Sequence, residues 1–251
     1  SIFFQTMLKA ENITPNVASY RDRVKHLSNI VWSDQNEDEN NEDNDMALMR
    51  FKGGLRFLLG SLSVNFTPLW DPTIKIIDSY LSAQKYQDIS WTIIYEVFYE
   101  TSEKIKNGNE GISGEIKQVQ NLLSLVLKAF AYSSDFIPFV EKKSQMVVNE
   151  FLSISRPTSN TCISPNTKVL EAFIDLFKKF SNIRNMSRFN EVKEVVIQYI
   201  LGHSKANEKI LKSAVEFFLA AYKPLRANRD ILMELVDNKK WKTRFLAFTE
   251  E

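Results

Sequence analysis

The chain has 251 residues, 44% of them apolar, 25% charged and 12% aromatic, with a formal net charge of +1. Apolar content near half the chain suffices for a core and excludes wholesale disorder. One cysteine excludes an internal disulfide framework or a Cys-based zinc cluster, and two histidines leave almost nothing for a multi-His metal site.

Seven Gly and seven Pro are few for this length and point to long helices rather than turn-dense β architecture. The longest strongly apolar run, Leu122–Tyr132, is interrupted by Lys128 and is too short to span a bilayer. No charged-then-apolar signal opens the chain, which begins with Ser1, so a soluble, intracellular protein of a reducing compartment is expected.

Helices expected at 3–11 and 15–31 make residues 1–33 a first helical pair. Residues 34–45, DQNEDENNEDND, carry seven acidic groups, five Asn or Gln and no apolar or basic residue. Such a run cannot bury enough surface to offset the entropy of ordering it, so an acidic disordered loop is expected. A sharper alternative is an acidic tail that binds a basic partner or shields a basic face until RNA arrives. Taking those seven from the 31 acids leaves 24 against 32 basic groups, so the remainder stands at +8.

From residue 46 onward the chain speaks in helical period. Leu55, Leu58, Leu59 and Leu62 stripe a helix expected at 46–62, and Trp91, Ile94, Tyr95 and Phe98 stripe one at 89–106. Between them a helix at 69–82 is expected, with Asp71 as its cap and Pro72 at its first position. Asn65, Phe66, Leu69 and Trp70 before it read as a structural turn, with Leu69 and Trp70 buried and Trp70→Ala costing about 3–5 kcal/mol. Residues 107–114 form a connector before a helix at 115–131, striped by Leu123, Val126, Leu127 and Phe130. A helix at 139–154 closes a 46–154 block of helical repeats, and 155–165 is a turn-rich connector.

The 166–251 block continues with helices at 166–182, 188–201, 206–222 and 225–236, and a last turn or two near 239–248. Its stripes are Leu170, Phe173, Ile174 and Phe177, then Val192, Val195, Val196 and Tyr199, then Leu211, Ala214, Val215 and Phe218. Gly202 suits a left-handed C-terminal cap, and Pro224 closes one helix and opens the next. No segment alternates with period two, so the fold class is all-α. The pairs 166–201 and 206–248 each span about 40 residues, the unit of HEAT and armadillo arrays. A HEAT/armadillo-like α-solenoid of antiparallel helix pairs is therefore expected, although periodicity alone also allows a globular helical domain.

The chemistry inventory is short. Gly108, Gly111 and Gly114 form no dinucleotide fingerprint, and the sequence holds no Walker loop, H-E-x-x-H, G-x-S-x-G or EF-hand loop. His26 sits beside Arg23 and Lys25, and His203 follows Gly202; both read as surface or capping histidines. Cys162 stands alone in a polar loop, and the N-x-S/T triplets at Asn12, Asn65 and Asn185 are chance matches without a secretory signal. No enzyme, catalytic residue, cofactor, metal site, membrane partner or small-molecule substrate is expected. Lys239, Lys240, Lys242 and Arg244 surround Trp241, an interleaving of cations and aromatic rings suited to RNA or another partner. The bland alternative is a solvated helix face with Trp241 packed beside Phe245 and Phe248. Over 221–246, these four with Lys223, Arg226 and Arg229 outnumber Asp230, Glu234 and Asp237 by seven to three.

The segment Arg56–Pro72, RFLLGSLSVNFTPLWDP, with its N-F-x-x-L-W-x-P element, resembles a stretch of the large helical-repeat protein of the small-subunit processome, the "down-regulated in metastasis" family. Trp91 with Tyr95, the run Glu141-Lys142-Lys143-Ser144, Val169–Asn182, Leu201–Lys223 and Leu232–Phe248 are similar to the family in the same order. The later runs look like the start of the domain that gives the family its name. The resemblance covers most of the chain from about residue 50 and rests on packing residues and turns. Family members are far longer, so an internal fragment is expected, and their charged insertion is here only the 155–165 connector.

The resemblance implies a HEAT-type scaffold in the nucleus and nucleolus for pre-ribosomal RNA processing toward the small subunit, without activity or cofactor. Its implied partners are other processome proteins and pre-ribosomal RNA. Two rival readings are a HEAT-type nuclear transport adaptor, or another protein-binding solenoid, and the helical regulatory region of a large kinase.

Overall fold

The computed structural model describes residues 41–106, 113–155, 167–201 and 208–236. These form ten α-helices and three short 3-10 segments, with no strand among the described residues. No described helix is long and apolar enough to cross a membrane. The chain divides into two units, 1–139 and 140–251. The division falls inside the 46–154 stretch that sequence reading treats as one block.

In the first unit the helices are α1 (Asn41–Leu62), α2 (Thr67–Leu81), α3 (Gln87–Lys106) and α4 (Ser113–Tyr132). Helix α1 begins five residues before the expected start, so 41–45, assigned to the acidic loop, are helical; 34–40 lie outside the described residues. The expected stripe of Leu55, Leu58, Leu59 and Leu62 is fully buried.

Helix α1 packs on α2 and α3, α2 packs on α4, and α3 packs on α4. A side chain at Gly54 would meet the Tyr80 hydroxyl at 2.2 Å, so this glycine permits the close approach of α1 and α2. Phe51 lies against Tyr80 and Tyr86, with ring centroids at 5.0 and 4.5 Å. Between α3 and α4, Phe130 receives Trp91 at 5.9 Å and Phe98 at 6.1 Å.

The start of α2 corrects the sequence reading. The helix begins at Thr67 with Pro68 in its first turn, and Pro72 lies inside it. Pro72 has no N–H, so the Pro68 carbonyl loses its i+4 partner within the first turns, where that loss disturbs the ladder least. Asp71 is no cap; it receives a 2.7 Å hydrogen bond from Lys128 of α4, and that contact holds its carboxyl below the ordinary value. Leu69 is buried as expected, but Trp70 is only partly buried and its indole N–H donates to the Val64 carbonyl at 2.9 Å. Trp70 fastens the connector more than it fills the core, so the cost of Trp70→Ala falls below the fully buried range.

The described helices reaching into the second unit are α5 (Ile137–Lys142), α6 (Ser144–Ser155), α7 (Thr167–Phe177), α8 (Phe189–Leu201), α9 (Glu208–Ala221) and α10 (Arg229–Val236). The single helix expected at 139–154 is two. At the break the Lys143 N–H bonds to Val140 and the Met146 N–H to Lys143, both with i−3 spacing, and Ser144 restarts the helix. The helix expected to run to 182 ends at Phe177, where the ladder again shifts to i−3 bonds and Phe180 turns back onto Phe177 at 5.8 Å.

Helix α7 packs on α9, α6 on α8, α8 on α9 and α6 on α7. The core is aromatic: Phe151 meets Phe173 and Phe177 edge-on, each at 5.4 Å. The helix expected from 225 is preceded by a 3-10 segment, Lys223–Asn228, with Pro224 in its first turn. Gly202, His203 and the turns expected at 239–248 lie outside the described residues, as do the helices expected at 3–11 and 15–31.

Candidate functional site

Lys239, Lys240, Lys242 and Arg244, with Trp241, lie outside the described residues, as do His26, His203 and Cys162. The described part of the same basic stretch is Lys223 and Arg226, in the 3-10 segment just past the end of α9, and Arg229, the first residue of α10, all exposed. Their position follows from the chain. Helix α9 leaves its last carbonyls without intrahelical partners, and cations at a helix C-terminus complement both those carbonyls and the dipole. The Arg226 Nε–H donates to the Leu219 carbonyl at 3.0 Å, closing one of them. The Tyr222 N–H bonds to Phe218 at 2.8 Å and the Leu225 N–H to Tyr222 at 3.0 Å.

An arginine not singled out from sequence joins this end of the helix. The Arg184 guanidinium lies over the Tyr222 ring, 5.4 Å from its centroid. Tyr222 stacks in turn on Phe218 at 6.3 Å, and Phe189 reaches it at the same distance. Arg184 comes from the short 3-10 turn Ile183–Asn185, almost 40 residues before Tyr222. No local pattern announces that meeting. The resulting arrangement, cations and rings around one helix end, can hold anionic groups by charge and hydrogen bonding.

Three polar junctions tie the second unit together, and sequence reading found none of them. Lys178 Nζ sits 2.6 Å from both Asp175 and Glu216, while the Ser213 hydroxyl donates to Asp175 at 3.0 Å. Burial of Lys178 opposes its charge, yet the hydrogen bonds to the two carboxylates outweigh it and raise the Lys178 pKa. The Glu141 carboxylate accepts the Ser181 N–H at 3.0 Å, the Ser181 hydroxyl at 2.8 Å and the Asn182 N–H at 3.0 Å. Burial opposes ionisation there too, but the donors of Asn182 and Ser181 prevail and hold the carboxyl below its ordinary value.

Arg188 has φ +54°, a left-handed backbone uncommon outside glycine, and its guanidinium spans both oxygens of Glu191 and the Asn149 side-chain oxygen. The only sequence signal for these junctions is the i, i+3 spacing of Asp175 with Lys178 and of Arg188 with Glu191.

Among the described residues no three His, Cys, Asp or Glu side chains gather to hold a metal ion. Asn65 and Asn185 are exposed, Lys142 and Lys143 are exposed at the end of α5, and Gly114 lies in the first turn of α4. No family model matches the chain.

Proposed function

We propose that the chain is a non-catalytic α-solenoid scaffold of stacked antiparallel helix pairs, acting in the nucleolus in pre-ribosomal RNA processing toward the small subunit. One observation supports the solenoid best. Polar contacts between elements recur at a nearly constant sequence separation: Arg56–Glu96 at 3.6 Å, Glu141–Ser181, Asn149–Arg188, Glu171–Lys209 at 3.5 Å, Asp175–Ser213 and Lys178–Glu216 all join residues 38 to 40 apart. Asp71–Lys128, 57 apart, Ser90–Tyr80, 10 apart, and Arg226–Leu219, 7 apart, depart from this spacing. A spacing of about 40 is the length of one HEAT or armadillo unit, and side chains one unit apart meet when successive units stack in register.

The packing order within each unit supports the same reading, since α1 meets α3 while α2 meets α4, and α6 meets α8 while α7 meets α9. The process itself rests on the resemblance of Arg56–Pro72 and the later runs to the processome protein. A scaffold of this kind holds neighbouring processome proteins on its surfaces and meets pre-ribosomal RNA through charge, with Lys239, Lys240, Lys242 and Arg244 as proposed contacts.

Two measurements test this. Depleting the protein should lower small-subunit rRNA and accumulate its precursors while large-subunit rRNA holds. Binding of the full chain to structured RNA should weaken with salt, and replacing the four basic residues by Gln should flatten that slope. Normal rRNA levels, combined with capture of a protein cargo released by a GTP-loaded small GTPase, would instead establish the transport adaptor.

A further inference from the structure

We propose that Lys223–Ile231 is a docking ridge for an acidic, amphipathic helix of a partner protein. Every residue from Lys223 to Ile231 is exposed, including two large apolar side chains, Leu225 at 36% and Ile231 at 57%. The 3-10 form of Lys223–Asn228 decides how they are arranged. In a 3-10 helix residues three apart eclipse, at a rise of about 2 Å per residue. Lys223 and Arg226 therefore stand in one row, about 6 Å apart along the axis, and Arg229 continues it at the start of α10. Leu225 and Asn228 form the neighbouring row, which Ile231 extends.

Among the described residues no carboxylate pairs with any of the three cations. The bond from Arg226 to the Leu219 carbonyl fixes that guanidinium while leaving its other donors for a ligand. Behind the ridge, Leu232 and Met233 pack on the buried Val215, Leu219 and Val236, so α10 is anchored to α9 and the surface is held in place.

The spacing suits a helix. Acidic residues four apart on a partner helix rise by about 6 Å, the same step as the cation row. Leu or Ile beside those acids would cover Leu225 and Ile231. RNA phosphates could also meet the cations, but they would leave both apolar side chains in water, so the amphipathic helix is the better fit. The inference needs no role in ribosome assembly and stands or falls apart from it.

The test is fluorescence anisotropy of the full chain with a labelled peptide carrying Glu at every fourth position and Leu on the adjoining stripe. A labelled peptide with Gln in place of Glu is titrated separately, and a single-stranded oligoribonucleotide serves as competitor. The Glu peptide should bind more tightly than the Gln peptide, and the oligoribonucleotide should not displace it. The Lys223→Gln/Arg226→Gln/Arg229→Gln variant should bind it at least about tenfold more weakly, from the sum of exposed charge pairs.

Lys223→Gln/Arg229→Gln, which preserves the Arg226–Leu219 bond, should lose several-fold even if the triple variant folds poorly. Leu225→Ser/Ile231→Ser should lose several-fold with an unchanged salt slope. Absence of peptide binding, indifference to the double charge variant, or indifference to the apolar variant overturns the proposal. Displacement of the peptide by the oligoribonucleotide also overturns it and makes the ridge a nucleic-acid surface.

Discussion

The two units pack their helices in the same alternating order, yet different chemistry joins the layers. In the first unit the ties are apolar and aromatic: Phe130 gathers Trp91, Phe98 and Phe136, and α1 rests on α2 through Gly54 and Tyr80. Its interhelical ion pairs, Arg56–Glu96 and Lys128–Asp71, are each more than half exposed and so contribute little. In the second unit an equally aromatic core is supplemented by polar junctions at Glu141, Lys178 and Arg188, of which Lys178 is the most enclosed. Apolar packing is indifferent to pH and screened little by salt, whereas the junctions depend on both. The first unit is therefore sensitive to shape, and the second to charge and acid.

The largest expected effect lies in the first unit. Gly54→Ala would place a methyl group 2.2 Å from the Tyr80 hydroxyl, a fully buried side chain with little room to give. Overpacking of this kind costs about 1–3 kcal/mol, and the upper end is expected here. Urea denaturation should show the loss unchanged between low and high salt.

Lys178→Met comes next. It would leave Asp175 and Glu216 facing each other without the cation that now lies 2.6 Å from each. Breaking a fully buried pair costs about 3–5 kcal/mol, but the two carboxylates here are 43% and 39% exposed, so about 1–2 kcal/mol is expected after solvent screening. The raised Lys178 pKa makes its contribution complete below the unfolded lysine pKa and lost as pH rises through the folded value. Salt titration of the variant's denaturation midpoint should show repulsion between the two carboxylates relieved by ionic strength.

Glu141→Gln should cost less, about 0.5–1.5 kcal/mol near neutral pH, since the amide keeps one acceptor oxygen for the Ser181 and Asn182 donors. The Glu141 pKa is lowered in the fold, so its contribution is present above the unfolded carboxyl pKa and disappears as pH falls through the folded value. The parent should therefore lose stability on acidification across that window, and the variant should lose less. Equal acid sensitivity in both proteins would show that other carboxylates set it.

These junctions also mark where sequence reading stopped. The stripes on α1, α4 and α7 were legible because each is a local repeat of 3.6 residues, and all their members are buried. On α3 Tyr95 is only partly buried, and on α9 the buried face is offset from the expected one: Leu211 and Phe218 are partly buried while Ile210 and Phe217 are buried. The end of α7 at Phe177 and the loss of Asp71 as a cap were not legible, because each depends on a partner elsewhere in the fold, while the break at Lys143 is a local shift to i−3 bonds that no apolar period marks. Glu141 takes the N–H groups that a longer α7 would have used, and Lys128 takes the Asp71 carboxylate that was expected to cap α2. The 38-to-40-residue rhythm of polar contacts has no counterpart in a repeated motif, since the pairs mix Arg–Glu, Glu–Ser, Asn–Arg, Asp–Ser and Lys–Glu contacts. Of the basic stretch over 221–246, composition identified the cations, but only the 3-10 geometry at Lys223–Asn228 aligns three of them beside Leu225 and Ile231.

The smallest effect should be a gain, and it isolates what the first unit's two adjacent glycines do. Gly53 and Gly54 share one helical backbone, and neither has a positive φ. A Cβ at Gly53 meets nothing within 4 Å, whereas one at Gly54 meets Tyr80. With space available and no conformational need, Gly53 carries only the entropic penalty of glycine in a helix, so Gly53→Ala should stabilise by about 0.5–1 kcal/mol, read as a higher urea midpoint at constant m-value. Met46 and Met49, 56% and 71% exposed, precede Gly53 by seven and four residues, which places all three on one outward face of α1. A loss in place of the gain, growing with protein concentration, would mean that this face is covered by a second copy in solution and that Gly53 admits a close backbone approach. A gain independent of concentration assigns the two glycines opposite roles: Gly54 is required by packing, and Gly53 is replaceable.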